Sequence, residues 1–522
     1  MENDSSRSVA AGLLLALFSA LYFTRIFFAA SEKTFWYDEL WSLYICRLPT
    51  LHAAWNAVLS GADYNPPFFY AVQRAGRTLF GEGLVGFRMP EILSFWVLCL
   101  CLFRFVSRRA GLLAGWVAMV LPVLTGAYFY AYEARPHGLV LGFCGLALVF
   151  WDMVEEQRNW IWLLAFSAAL EAAFLSHCFA LLIAIPFGLV ELFRTIKLRR
   201  IAWTRWVALI LPAVFAVGSF IPLLRSYDQR LSRTLQRTHE FSHPALQKVP
   251  LFYQDLLTPC IEFLICALVL FVLGRSFPAR RFGRTNTILA LGFITLPIWG
   301  LVLARLTGGP MYLRYFMAAV LGFSILLGLG AGFCKQKAIR VAFAAVIACF
   351  ALNDCATTVW HYYRGWGDYL LEPATDITLN TTPGNPLGVH DMLTTHAVAG
   401  SGIPILLPVK LDFQYLAYYW PSQLSRLYIL REPGPGKPDG VNQATCALCR
   451  LDPKHVEPYT QFAAQHPVYF IYGQRLAYPF LSRIAGEGAV IESFRIDKVT
   501  GYFLAKVRTL NAGPSPGSPS AQ

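Results

Sequence analysis

Two adjacent carboxylates, Asp38 and Glu39, sit among Phe35, Trp36, Tyr37 and Trp41 in the stretch FWYDELW, just after the first long apolar run. Neighbouring side chains diverge by about 100° on a helix and point to opposite faces of a strand. The two are therefore not placed to share one task. One is suited to act as a general base, while the other binds a metal or holds the loop. Tryptophan and tyrosine favour the bilayer interface, which puts these carboxylates at the depth of a lipid phosphate. A solvated turn at the membrane surface is the plain alternative. Other polar clusters sit at comparable positions. YNPPFFY (64–70) sets Asn65 before two prolines, YAYEARPHG (130–138) carries Glu133, Arg135 and His137, and GGPMYLRYF (308–316) carries Arg314 and Tyr315. Charges at such boundaries either snorkel to water or mark a functional site.

The chain that must position these groups is 522 residues long, 56% hydrophobic and only 14% charged, with a mean hydropathy of +0.47. A soluble domain carries roughly 25% charged residues, so a bilayer has to dissolve the excess apolar surface. The net charge of +13 comes from 44 basic against 31 acidic residues. Most basic residues lie between apolar runs, which reads as membrane topology rather than nucleic-acid binding.

Runs long enough for a helix of about 20 apolar residues cover 9–30, 87–106, 110–130, 136–153, 159–176, 178–194, 203–224, 256–274, 286–304, 311–333 and 338–357. They predict about eleven spans. With a cytoplasmic N-terminus, the cytoplasmic connections collect Arg104, Arg108 and Arg109; Arg158; Arg194, Lys197, Arg199, Arg200 and Arg205; Arg275, Arg280, Arg281 and Arg284; and Lys335, Lys337 and Arg340. That is the positive-inside pattern. It puts FWYDELW and the C-terminal region outside the cytoplasm. The first run exceeds the usual 7–15-residue signal-peptide core and reads as an uncleaved anchor.

Three regions follow. Residues 1–357 form a multi-span membrane domain with a long outer loop at 31–86, where LPTLHAAWNAVL has the spacing of a short surface helix. Residues 358–510 carry short β-prone runs (IPILLPV, RLYIL, PVYFIYG, AVIESFRI, YFLAKV) between Pro/Gly-rich turns, predicting a soluble extracytoplasmic α/β domain. Residues 511–522 read as a disordered tail. In TCALCR, Cys446 and Cys449 read first as a local disulfide; with His455 and His466 they form the alternative of a zinc site. The outer loop between the seventh and eighth runs holds Arg225, Arg230, Arg233, Arg237 and Lys248, either a solvated amphipathic helix or an anion contact.

The order of DE, xPPxxY, FRMP, EARPHG and LRYF resembles the polyprenyl-phosphate-sugar-dependent glycosyltransferases of the C-type fold. It is most similar to the bacterial branch related to protein mannosyltransferases and to the lipid A aminoarabinose transferase. The resemblance spans most of residues 30–335. It implies that Asp38 is the catalytic aspartate and Glu39 a metal or positioning residue. It also implies that Arg88, Arg135 and Arg314 stand near the donor phosphate. Asn65, Glu133, His137 and Tyr315 would support the site or face the acceptor. Asn65 departs from the family, which often has histidine before the two prolines.

The inventory suits transfer. An acceptor hydroxyl attacking an anomeric carbon needs one carboxylate base. A polyprenyl phosphate leaves as an anion, so it needs positive charge more than the general acid a glycosidase requires. Arginine grips phosphate bidentately, and a divalent Mg, Mn or Ca ion on oxygen ligands could share that work. The expectation is a plasma-membrane enzyme moving a sugar from a polyprenyl-phosphate carrier to a lipid, glycan or protein hydroxyl, with the family's inversion at the anomeric carbon. Two other classes compete. A lipid-linked sugar transporter would show paired halves and broken helices near mid-membrane. A zinc protease would use HEFSH (239–243), a literal HExxH, but Pro244 biases His243 away from helical geometry.

Overall fold

The computed structural model describes residues 2–60, 62–157, 159–242, 244–274, 283–307, 309, 311–364, 401–408, 410–419, 421–430, 456–473, 477–496 and 503–509. The chain divides into two compact units. The helical unit comprises Met1–Lys33, Asn65–Arg225 and Arg237–Asp376; the sheet unit comprises Thr34–Tyr64, Ser226–Gln236 and Ile377–Gln522.

Helices run in the order α1 (Glu2–Glu32), α2 (Tyr37–Arg47), α3 (Leu51–Leu59), α4 (Pro67–Phe80), α5 (Met89–Ala110), α6 (Leu112–Leu124), α7 (His137–Gln157), α8 (Trp160–Ser176), α9 (Ala184–Leu198), α10 (Trp203–Ser242), α11 (Lys248–Leu257), α12 (Ile261–Leu273), α13 (Arg284–Ile294), α14 (Leu296–Thr307), α15 (Ala319–Phe333) and α16 (Lys337–Arg364). Every apolar run of the sequence carries helix. Among the described residues seven helices are long and apolar enough to cross a membrane, or up to nine if two bent pairs count as single spans. The two remaining runs form α8 and α15, with 17 and 15 residues. At 1.5 Å per residue these reach only about 22–26 Å, short of a hydrocarbon core of about 30 Å. The eleven expected runs are thus eleven apolar stretches, of which seven to nine are full-length spans by length and composition among the described residues.

One bent pair joins α6 to the 3-10 helix Gly126–Tyr132 at an angle of 73°. Pro122 lies inside the last turn of α6, where its missing N–H removes the helical bond to the Ala118 carbonyl. Thr125 then closes the corner: its hydroxyl donates to the Pro122 carbonyl at 2.9 Å and accepts the Ala127 N–H at 3.3 Å. Against α5, α7 packs closely enough that a β-carbon on Gly142 would stand 2.5 Å from the Ser94 carbonyl oxygen. Small residues permit such backbone approach in membrane bundles.

Several arginines that set the topology pattern are also paired. Arg109 meets Asp152 at 2.5 Å, Arg108 pairs with Glu156, and Arg205 reaches Glu155 at 3.0 Å and Glu191 at 3.5 Å.

In the sheet unit, β1 (Ile405–Leu407), β2 (Leu427–Leu430), β3 (Val456–Glu457), β4 (Val468–Gly473), β5 (Val490–Ile496) and β6 (Phe503–Arg508) form one sheet in the order β3-β2-β1-β4-β6-β5. The first four are mutually parallel, while β6 runs antiparallel to β4 and β5 antiparallel to β6. Each β-prone run of the sequence supplies one strand; only the two-residue β3 falls outside them. Alternation divides the core between two faces. Ile405, Leu407, Leu427 and Ile429 pack with Leu416 of α17 (Lys410–Tyr419). Leu406, Tyr469 and Ile471 pack with Phe462 of α18 (Tyr459–Gln465) and Ile484 of α19 (Tyr478–Gly486). The result is a small α/β domain with helices on both faces. Cys446, Cys449 and His455 lie outside the described residues, as does the tail 511–522. His466 is described, and its ring packs on Phe462 and Tyr428 at 4.8 and 5.1 Å.

Candidate active site

Within the helical unit, residues from distant motifs converge. His137 opens α7 and is buried. Its ring lies 5.1 Å from Tyr130, 5.4 Å from His177 and 6.1 Å from Tyr315. Tyr315 stacks on Phe179 at 4.4 Å and stands 4.6 Å from His177. The Arg314 guanidinium sits 4.9 Å from the Tyr312 ring and 5.9 Å from the Tyr315 ring. Arg135 stands two positions before His137, in the turn that leads into α7. Lys248 steadies the loop that bears Arg314, donating from Nζ to the Met311 carbonyl at 2.8 Å.

Glu133 is almost fully buried and meets Lys33 Nζ at 4.0 Å. The same ammonium lies 4.0 Å from the Phe129 ring centre and 5.5 Å from that of Tyr132. The Arg135 N–H donates to the Glu133 carbonyl at 2.6 Å, a tight turn that projects both side chains just ahead of α7. Asn65 is buried immediately before the Pro66-Pro67 start of α4. Arg88 is completely buried. One of its terminal nitrogens donates to the carbonyls of Ala30 at 2.8 Å and Lys33 at 2.7 Å. It thus ties down the C-terminal end of α1, where helix carbonyls lack intrahelical partners.

Within the sheet unit, Asp38 and Glu39 occupy the first turn of α2. Negative charge is favoured there by the helix dipole. Their environments differ as their directions require. Glu39 is fully buried, and its carboxylate accepts the Trp36 N–H at 3.3 Å, closing the start of its own helix. Asp38 is half-buried, and its carbonyl accepts the Ser42 hydroxyl at 3.0 Å. The segment before α2 is clipped to α17: Phe35 donates its N–H to the Tyr419 hydroxyl at 2.6 Å and packs edge-on against Tyr418.

Among the described residues, no group of three or more His, Cys, Asp or Glu side chains is placed to hold a metal ion. In HEFSH, α10 ends at Ser242, directly ahead of His243 and Pro244; His243 lies outside the described residues. Pro244, directly after the motif, is not helical.

A family model described as dolichyl-phosphate-mannose-protein mannosyltransferase matches residues 64–224. That stretch contains the PPxxY, FRMP and EARPHG motifs. ArnT from Cupriavidus metallidurans, solved in the apo state, superposes with a TM-score of 0.55 over 98% of this chain and 100% of its own, at 17% identity. The same enzyme bound to undecaprenyl phosphate gives a TM-score of 0.53 at 16% identity, covering 96% of this chain and 99% of that one. The chain has the C-type glycosyltransferase fold. No curated protein matches its sequence. With this C-type fold and its apolar helices, it is a multi-pass membrane protein.

The C-type frame also contains groups that the motifs did not single out. Lys33 stands five positions before Asp38 in SEKTFWYDEL, and its distance from an obvious motif conceals it. His177 follows the end of α8 and turns its Nδ1 back to accept the Phe179 N–H at 3.3 Å. A histidine at a helix break inside an otherwise apolar stretch was the available signal.

Proposed function

We propose that the protein is an integral membrane glycosyltransferase. It takes a sugar from a polyprenyl-phosphate carrier and attaches it to a hydroxyl of a lipid, glycan or protein at the outer face of the membrane. One observation carries the reading: His137 of EARPHG and Tyr315 of LRYF, from motifs far apart in sequence, stand with ring centres 6.1 Å apart, and Arg314 lies 5.9 Å from the same Tyr315 ring. Each of these motifs also brings an arginine, a residue suited to a phosphate that leaves as an anion. The match to the mannosyltransferase family model and the likeness to ArnT, which has been solved with undecaprenyl phosphate, support the same donor class.

In this reading Asp38 takes the proton of the acceptor hydroxyl as its oxygen attacks the anomeric carbon. The carbon–phosphate oxygen bond breaks, and its electron pair departs with the polyprenyl phosphate, held by Arg135 and Arg314. Displacement from the back face inverts the anomeric centre. Glu39 shapes the start of α2, and Arg88 secures the end of α1, so both act on position rather than on bonds. No step is assigned to a divalent cation; stimulation of chelator-treated protein by Mn, Mg or Ca would add one. The basic connections favour a plasma-membrane protein with a cytoplasmic N-terminus and an extracytoplasmic C-terminal domain.

The test is transfer in proteoliposomes with a panel of polyprenyl-phosphate sugars, run for wild type and Asp38→Asn. Transfer lost in the variant supports the reading. Movement of the lipid-linked sugar across the bilayer without bond cleavage would replace it with a transporter.

A further inference from the structure

Arg25 is a charged residue inside the apolar span Ser8–Glu32, only 5% exposed, and nothing in the proposed chemistry uses it. Its partners come from three other elements of the helical unit. It pairs with Asp354 of α16 at 3.3 Å, and its Nε donates to the Thr358 hydroxyl of the same helix at 3.4 Å. The Thr358 hydroxyl in turn donates to the Asp354 carbonyl at 2.8 Å, which fixes the receiving face of α16. One terminal nitrogen of Arg25 donates to the Val123 carbonyl at 2.8 Å, and the guanidinium lies 4.2 Å from the centre of the Tyr128 ring.

Val123 and Tyr128 lie on opposite sides of the 73° bend between α6 and Gly126–Tyr132. The last carbonyls of a helix lack intrahelical partners and form the negative end of its dipole. A cation is therefore the favoured occupant at that point, and α1 supplies it. Tyr128 continues the contact to Tyr132, with ring centres 5.5 Å apart, and Tyr132 meets Lys33. Arg25 and Lys33 are two helical turns apart, about 12 Å along the axis. Together they grip the bent segment at both ends, directly ahead of Glu133 and Arg135.

We propose that Arg25 is a positioning residue: it latches α1 to α16 through Asp354 and holds the α6 bend, so that the segment carrying Glu133 and Arg135 keeps one conformation. Its effect on catalysis rests on the glycosyltransferase reading; its effect on the segment does not. The test uses full-length protein in detergent, as wild type, Arg25→Met, Arg25→Lys and the double variant Arg25→Met/Asp354→Leu. The double variant removes both charges and so avoids the unpaired buried carboxylate that the single variant leaves.

Hydrogen exchange should quicken at least tenfold in residues 126–132 of the double variant while α5 and α7 keep their protection. Arg25→Lys, which retains the charge, should restore protection in part. Unchanged exchange in a folded double variant overturns the proposal, as does equal loss across all helices. In the transfer assay the double variant should lose at least tenfold in kcat with donor KM within threefold. Wild-type kcat beside faster exchange would overturn the catalytic part. A wild-type protein that transfers no sugar yet shows the exchange pattern would count against the glycosyltransferase reading and leave the latch established.

Discussion

The backbone N–H of Phe35 donates to the side-chain hydroxyl of Tyr419 at 2.6 Å, across 384 positions of sequence. This bond and the Phe35–Tyr418 ring contact hold the start of α2 on α17, and Arg47 at the other end of α2 lies 5.7 Å from the Tyr418 ring centre. The sheet domain is thereby a support for the segment that bears Asp38. Tyr419→Phe keeps the ring and deletes the acceptor. A hydrogen bond of this kind contributes about 1 kcal/mol net. If that energy serves placement of Asp38, transfer should fall about fivefold with little change in melting temperature. A wild-type rate would make the contact purely structural.

The two carboxylates of FWYDELW should separate cleanly under substitution. Asp38→Asn keeps the shape and removes basicity, so transfer should fall by roughly 10²–10⁴, the usual contribution of a general base. Glu39→Gln retains an oxygen that can accept the Trp36 N–H and should keep most activity. Glu39→Ala loses that contact and should destabilise the protein by about 1 kcal/mol, as cap removal does elsewhere. Initial rates and melting curves on the same preparations distinguish the roles. Equal losses for Asp38→Asn and Glu39→Gln would mean that the pair acts together.

Much of this was legible because membranes and sheets impose strong periodic constraints. A bilayer requires long apolar runs, so the long apolar helices of the helical unit could be read directly, whereas α4 and most of α11 lie outside the predicted runs. Crossing number was less legible: α8 and α15 are as apolar as their neighbours but stop short, and Pro122 turns an apparent continuous run into a bend. The β-prone stretches announced their strands, whereas Val456–Glu457 is too short to leave a pattern. Of the residues gathered around His137, Tyr130 and Tyr315 were visible because they lie in motifs. Arg88 was visible in FRMP as a candidate phosphate residue; its bonds to Ala30 and Lys33 depend on where the chain folds back, which spacing does not encode. Lys33 owes its place to packing against Glu133 and carries no local signature, whereas His177, packed against Tyr315, was marked only by its position at a helix break.

Arg135 and Arg314 should respond to conservative change as phosphate ligands do. Lysine keeps the charge but loses the planar fork that binds two oxygens together. Arg135→Lys and Arg314→Lys should each raise donor KM about tenfold, in line with a charge-assisted contact of roughly 1.5–3 kcal/mol. Binding of polyprenyl phosphate alone, measured without acceptor, should weaken in parallel. Unaltered binding in both variants would move the donor phosphate elsewhere in the protein.

Gly142 offers a test of the frame rather than the chemistry. A β-carbon there would lie 2.5 Å from the Ser94 carbonyl oxygen and 2.7 Å from its β-carbon. The obstruction is largely backbone, so it cannot swing aside as a long side chain would. Gly142→Ala forces α7 away from α5, and overpacking of this kind costs about 1–3 kcal/mol. Gly142→Val adds branching at the same point and should cost more. Because His137 opens α7, the displacement would reach the candidate site along that helix. Melting temperature should fall from wild type through Ala to Val, and transfer should fall in the same order. Gly12, which faces open space on α1, is the control, and Gly12→Ala should lower neither quantity. Equal melting of Gly142→Val and wild type would show that α5 and α7 are not held at the separation seen here.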